Sequence, residues 1–247
     1  MKKYSSLLIL FFACACSNSQ QTSSVNKLDK NQTDLLLQKA IEFPSNTQLS
    51  IAIIKNGEVS FSGLKNIKGT VLWVSNHKNI FEIGSITKVF TSTLLAKLVL
   101  DNTLQLTDTI DQYIETPLKD NAKISFVQLA NHTSGLPRLP TNLDPTTPPK
   151  NPYIDYGEEK LKSYLSNELR LSERPLSTYA YSNIGTGLLG YVVTEIEGIS
   201  YESLIQQEIF LKYHMDNSTT DQLKAKNIIK GLDAEGNEYP IGILPHW

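Results

Sequence analysis

Ser85 and Lys88 stand three residues apart in the stretch Phe81-Glu-Ile-Gly84-Ser85-Ile86-Thr87-Lys88. They open a run whose apolar residues Ile86, Val89, Phe90, Leu94, Leu98 and Val99 recur near every 3.6 residues, which predicts a helix over 86–100. Residues three apart on a helix are neighbours, with about 5–6 Å between their Cβ atoms. A hydroxyl held beside an amine makes an activated nucleophile when the neutral amine takes the hydroxyl proton. Gly84, directly before the serine, leaves room for a substrate backbone to approach. The ordinary structural reading is a helix-capping serine followed by a lysine that lays its stem on apolar surface. The pattern alone does not choose, because Ser-x-x-Lys also occurs at Ser24/Lys27, Ser62/Lys65 and Ser75/Lys78. Those three fall in loop-like or strand-like sequence, where positions i and i+3 do not share a face.

Downstream lies Tyr179-Ala-Tyr181-Ser182-Asn183-Ile184-Gly185, and Tyr181 is the only tyrosine followed two residues later by asparagine. A phenol beside an ammonium group is easier to ionise, because the cation stabilises phenolate. Tyr181 is therefore a candidate general base, and Asn183 a candidate donor to a substrate carbonyl. The alternative is a Ser-Asn turn that caps the next helix. A third stretch, Gln128-Leu-Ala-Asn131-His132-Thr133-Ser134-Gly135-Leu136-Pro137, holds a histidine readable as a base for Ser85 or Ser134. The favoured reading of His132 is structural, closing a helix before a Gly-Pro turn.

The elements that must position these residues read as follows. A helix over 32–43 is stopped before Pro44. Leu49–Ile54 and Glu58–Phe61 flank Asn56-Gly57, the strongest short hairpin signal. A further strand is expected at 71–74, then helices at 86–100, 123–131, 157–168, 184–197 and 200–210. The proline-rich stretch from Pro137 to Pro152 reads as a surface loop, and Lys226 to Pro240 as a second hairpin. This order predicts an α/β chain of the α+β type, a mixed, mainly antiparallel sheet with helices packed on it and a mainly helical subdomain at about 101–225.

The chain has 247 residues, enough for a real core. Its formal charge of -2 and its lack of any Lys/Arg run beyond Lys2-Lys3 exclude a nucleic-acid footprint. Met1-Lys2-Lys3, the short apolar run Leu7–Ala13 and Ala13-Cys14-Ala15-Cys16 resemble a bacterial lipoprotein signal. The expectation is a signal peptide at 1–15, lipidation at Cys16 with Cys14 as alternative, and a flexible tether at 16–31. The domain then covers 32–247. The chain would be exported and would face the periplasm, anchored to the membrane by lipid. Removing 1–15 takes away two lysines and no acid, so the formal charge becomes -4. Cys14 and Cys16 are the only cysteines, so a mature domain has neither a disulfide nor a thiolate metal site. Gly185-Thr-Gly187-Leu-Leu-Gly190 formally fits a dinucleotide fingerprint, but no apolar strand precedes it. It reads as close helix packing.

Taken together, Ser85-x-x-Lys88, Tyr181-Ser182-Asn183 and His132-Thr-Ser-Gly-Leu-Pro137 resemble the serine β-lactamase and penicillin-binding superfamily, and within it the class C β-lactamase-like branch. Gly187-Leu-Leu-Gly190 and Tyr201–Phe210 add to the likeness, which runs from about Ser50 to Gly236. The resemblance implies a β-lactamase/transpeptidase-like fold and an acyl-enzyme mechanism without a cofactor or metal. Ser85 would attack a β-lactam, ester or D-alanyl carbonyl. Lys88 and Tyr181 would share its proton, and Asn183 would orient the acyl group. The Ser85 backbone N–H would form half of an oxyanion hole. It implies a monomer acting on a small molecule or cell-wall peptide. Neither Lys-Thr-Gly nor His-x-Gly, the third motif of that superfamily, occurs among the 247 residues. The expectation is therefore a fragment or truncated form, incomplete at its C-terminus, with an exposed sheet edge. The rival expectation is a module that binds cell-wall peptide without turning it over.

Overall fold

A computed structural model of the chain describes residues 28–144, 153, 155–172, 178–221 and 224–239. The signal peptide, both cysteines, Ser24/Lys27, most of the tether and the stretch 145–152 lie outside the described residues. Helix α1 spans Lys30–Glu42, so it takes in the last two residues assigned to the tether. It starts there because Asp29 and Gln32 form a capping box: the Gln32 N–H donates to Asp29 Oδ1 at 2.8 Å, and the Asp29 N–H donates to Gln32 Oε1 at 3.1 Å. It stops at Phe43, in extended conformation ahead of Pro44.

Strands β1 (Gln48–Lys55), β2 (Glu58–Ile67) and β3 (Thr70–Trp73) form an antiparallel sheet in sequence order. Asn56 and Gly57 both take positive φ at the first turn, as do Lys68 and Gly69 at the second, which matches the twist of tight hairpins. The buried Asn66 ties this sheet to α1, since its Nδ2 donates to the Phe43 carbonyl at 2.8 Å and to the Ala40 carbonyl at 3.2 Å. Strand β1 has β2 as its only paired strand among the described residues, and its Ile54 is 73% exposed.

The main core lies outside the sheet, among the helices. Helix α2 (Thr87–Leu100) follows a 3₁₀ turn over Gly84–Ile86 and buries Leu94, Leu95 and Leu98. These pack with Ile184, Leu188, Leu189, Val192 and Val193 of helix α5 (Asn183–Glu197). Short helices α3 (Phe126–Ala130), α4 (Glu158–Ser163) and α6 (Tyr201–Ile205) complete this layer. The last two continue as π turns over Tyr164–Glu168 and Gln206–Phe210. Two expected core positions of α2 face outward instead: Ile86 and Val89 are 59% and 63% exposed. Apolar residues stand on more than one side of α2, with Thr91 buried while Val89 and Leu100 are exposed, so periodicity alone could not say which side packs against α5.

The late hairpin is present as β4 (Gly231–Leu232) and β5 (Glu238–Tyr239). It forms its own two-stranded ribbon and does not join β1–β3. The three-stranded sheet is thus antiparallel throughout, and a parallel bridge, Ile80 to Ile228, links the segment before Ser85 to the approach to β4. No described helix is long and apolar enough to cross a membrane.

Candidate active site

Ser85 sits in the 3₁₀ turn and Lys88 in the first turn of α2. Gly84 has φ +50°, and a Cβ placed on it would meet no atom within 4 Å. Glycine is favoured by the left-handed backbone, and the approach to Ser85 is open. Lys88 Nζ donates to Ser85 Oγ at 3.2 Å. The hydroxyls of Ser85 and Tyr181 share a hydrogen bond of 2.7 Å. The Lys88 ammonium also lies 5.0 Å from the centroid of the Tyr181 ring. The structure therefore brings together the serine, amine and phenol that the sequence singled out. Asn183, the first residue of α5, lines the same cavity as Ser85 and Lys88, a space of about 430 Å³.

The other Ser-x-x-Lys pairs among the described residues are inert by geometry. Ser62 and Lys65 lie at odd spacing on β2, and Ser75 and Lys78 lie between β3 and the 3₁₀ turn. The glycines of the formal dinucleotide fingerprint lie inside α5. A Cβ on Gly185 would come within 3.1 Å of Ser182 Oγ, so this glycine serves close packing.

Tyr181-Ser182-Asn183 is held by the loop 132–138 through a series of hydrogen bonds. The Ala180 N–H donates to the His132 carbonyl at 2.8 Å, and the Ser182 N–H donates to His132 Nδ1 at 3.2 Å. Ser182 Oγ donates to the Pro137 carbonyl at 2.6 Å while accepting from the Gly185 N–H at 2.9 Å. The Asn183 N–H donates to the Arg138 carbonyl at 2.9 Å. Ser182 is thus the N-cap of α5, as the structural reading of that turn had it. The cap and the site are one device, because fixing Ser182 places Tyr181 and Asn183 on either side of it.

His132 is not placed as a base. Its Nδ1 accepts from a main-chain amide, and its ring packs 4.7 Å from the Tyr181 ring. Burial, then the Lys88 charge, hold it below the usual histidine range. It does more than end α3: with φ +57° it turns the chain so that ring and carbonyl both reach the 180–182 segment. Arg138, which sequence reasoning passed over, places its guanidinium 5.0 Å from the Tyr181 ring centroid. The signal was available, since Arg138 directly follows the His132–Pro137 stretch.

Two opposed influences act on the Tyr181 phenol. Burial raises its pKa. Hydrogen bonds with Lys88 and Ser85, and the charges of Lys88 and Arg138, outweigh burial and leave it below the ordinary tyrosine value. A serine hydroxyl within 2.7 Å of an easily ionised phenol, and 3.2 Å from an amine, can pass its proton to that pair as it attacks a carbonyl.

Comparison with known proteins identifies the family and the fold. The Beta-lactamase family model matches residues 42–227. Over 217 residues the chain is 26% identical to Protein flp of Staphylococcus aureus, covering 84% of this chain and 42% of that protein. Over 146 residues it is 31% identical to the D-alanyl-D-alanine-carboxypeptidase/endopeptidase AmpH of Escherichia coli, covering 57% of this chain and 37% of that protein. The solved β-lactamase/D-alanine carboxypeptidase from Yersinia pestis superposes with a TM-score of 0.65 at 23% identity, covering 81% of this chain and 58% of that one. The chain spans less than half the length of these two curated relatives.

Proposed function

The chain belongs to the Beta-lactamase family, and from that premise we propose that it is a serine hydrolase working through an acyl-enzyme on Ser85. The observation that carries the reading is the contact of Ser85 Oγ with both Tyr181 Oη, at 2.7 Å, and Lys88 Nζ, at 3.2 Å. Ser85 Oγ forms a bond to a substrate carbonyl carbon as its proton passes to the Tyr181–Lys88 pair. The backbone N–H of Ser85 serves as one donor to the resulting oxyanion. Collapse of the tetrahedral intermediate expels the leaving group, which takes the proton back. Water, activated by the same pair, then frees Ser85. Asn183, at the start of α5, orients the acyl group.

The substrate class proposed is a β-lactam, D-alanyl peptide or ester. Support comes from the solved and curated relatives, whose names include β-lactamase and D-alanine carboxypeptidase. The test is trapping with a fluorescent penicillin. Covalent label on wild type and none on Ser85→Ala supports the nucleophile, whereas equal labelling of both refutes it. Label that forms and is never released makes the chain a binding module without turnover. Nitrocefin and D-alanyl dipeptide hydrolysis then separate the substrates.

Export as a lipid-anchored periplasmic protein is proposed on Met1–Cys16 alone. Labelling with a palmitate analogue should be lost in Cys16→Ala; unchanged labelling removes that assignment.

A further inference from the structure

We propose that Arg138 is a positioning residue of this site: its main chain anchors the start of α5, and its guanidinium sets the charge around the Tyr181 ring. The proposal rests on the role given above to Tyr181 as proton acceptor. Two independent contacts carry it. The Arg138 carbonyl accepts the Asn183 N–H at 2.9 Å and the Ile184 N–H at 3.4 Å. These amides belong to the first turn of α5, where backbone donors lack partners within the helix. The side chain holds its cation 5.0 Å from the centre of the Tyr181 ring, within the range of a cation–π contact. One residue thus fixes Asn183 through its backbone and acts on Tyr181 through its charge.

The groups around the Tyr181 side chain are few. Lys88 Nζ lies 5.0 Å from the ring centroid, Ser85 Oγ is 2.7 Å from the phenol oxygen and the His132 ring is 4.7 Å away. His132 is held toward its neutral form. Among the described residues, the cations acting on the phenol are Lys88 and Arg138. Lys88 is also hydrogen-bonded to the nucleophile, so its charge alters during the proton relay. A guanidinium is a permanent cation, and the hydrogen bonds of Ser85 Oγ among the described residues go to Tyr181 and Lys88, not to Arg138. It acts as a constant bias toward phenolate, lowering the Tyr181 pKa together with Lys88 and Ser85.

Substitution separates the two contacts, because any side chain at position 138 keeps the carbonyl that holds α5. The experiment is a titration of the 247-residue chain labelled with ¹³Cζ-tyrosine, with the Tyr181 resonance assigned through Tyr181→Phe. In Arg138→Gln the Tyr181 midpoint should move to higher pH, while the amide signals of Asn183 and Ile184 stay in place. Arg138→Lys, which keeps the cation, should titrate close to wild type. A Tyr181 midpoint unchanged in Arg138→Gln overturns the proposal, and so does an equal displacement in both variants. The rate of penicillin labelling of Ser85 in Arg138→Gln should shift its pH limb upward in parallel. Absence of labelling in wild type would overturn the proposed hydrolase but leave the titration to decide the role of Arg138.

Discussion

Tyr181 Oη and Ser85 Oγ meet at 2.7 Å although 96 residues separate them in the chain. Ser85 comes from the turn that leads into α2, and Tyr181 from the segment that leads into α5. The packing of α2 against α5 through Leu94, Leu95, Leu98, Leu188 and Val192 holds the two helix starts side by side. Burying five such side chains contributes on the order of 1.5–3 kcal/mol each before entropy is counted, far more than one hydrogen bond supplies. The core brings the two helix starts together, and the hydrogen bonds from the loop 132–138 then fix Tyr181 and Asn183 there.

Removing the Tyr181 hydroxyl should damage chemistry more than binding. Tyr181→Phe keeps the ring that packs on His132 but loses the proton acceptor. The rate of Ser85 acylation should fall by about 10²–10⁴-fold, with little change in KM. The phenol sits below its ordinary pKa, despite burial, because Lys88, Ser85 and Arg138 favour phenolate. The wild-type rate should therefore rise with pH through the ionisation of Tyr181, and this limb should vanish in Tyr181→Phe. A pH–rate profile that keeps the limb in the variant would assign it to another group.

His132 should make folding stability fall in mild acid. Burial and the Lys88 charge hold its folded pKa below the unfolded value near 6.5. Below that value the unfolded chain binds more protons, so the contribution is complete above about pH 6.5 and is lost as pH falls through the folded pKa. Protonation at Nδ1 would also set an N–H against the Ser182 N–H that now donates to it. His132→Ala should cost about 1–3 kcal/mol by leaving that amide without its acceptor, and should flatten the stability profile below about pH 6.5. Urea unfolding across that range measures both effects.

Glu202 latches a wall of the cavity. It is buried in α6, and its carboxylate accepts from Thr219 Oγ1 at 2.7 Å, the Thr220 N–H at 2.7 Å and Thr220 Oγ1 at 2.6 Å. Thr219 and Thr220 line the cavity that holds Ser85. Burial raises the Glu202 pKa, but the hydrogen bonds of Thr220, Thr219 and Gln206 prevail and lower it. Its stabilising effect is therefore complete above the unfolded glutamate pKa near 4.5 and is lost as pH falls through the folded value. Glu202→Ala should cost about 1–3 kcal/mol and speed hydrogen exchange at the Thr220 amide. Unchanged exchange there would show that the wall is held by other contacts.

Gly84→Ala should strain the turn that presents Ser85. The space around a new methyl is empty, so the cost is the left-handed backbone at φ +50°, about 1–2 kcal/mol for an L residue with a Cβ. Gly84→Asn should be milder, because asparagine tolerates that region. Thermal unfolding and the rate of penicillin labelling report the two variants, and equal losses for Ala and Asn would point to a steric cause.

Much of this molecule was legible in the residues themselves. Asn56-Gly57 announced the first hairpin, because both turn positions need positive φ. The long helices at 86–100 and 184–197 showed in their apolar content, and α5 begins one residue before its predicted start. Ser85 and Lys88 were paired by their spacing at the mouth of an apolar helix, which sets them apart from the other Ser-x-x-Lys pairs. Local chemistry sufficed wherever the governing interactions are local, and the ordered motifs marked the family.

The tertiary structure alone decided the rest. It set which side of α2 faces the core, leaving Val89 outward and Leu95 inward, since periodicity gives no clear direction when apolar residues lie on more than one side. It brought Tyr181 to Ser85, made His132 an acceptor for the Ser182 amide and set Arg138 over the phenol. Those contacts join residues roughly 40 to 100 positions apart. Their geometry comes from side-chain packing between helices, which sequence spacing does not encode.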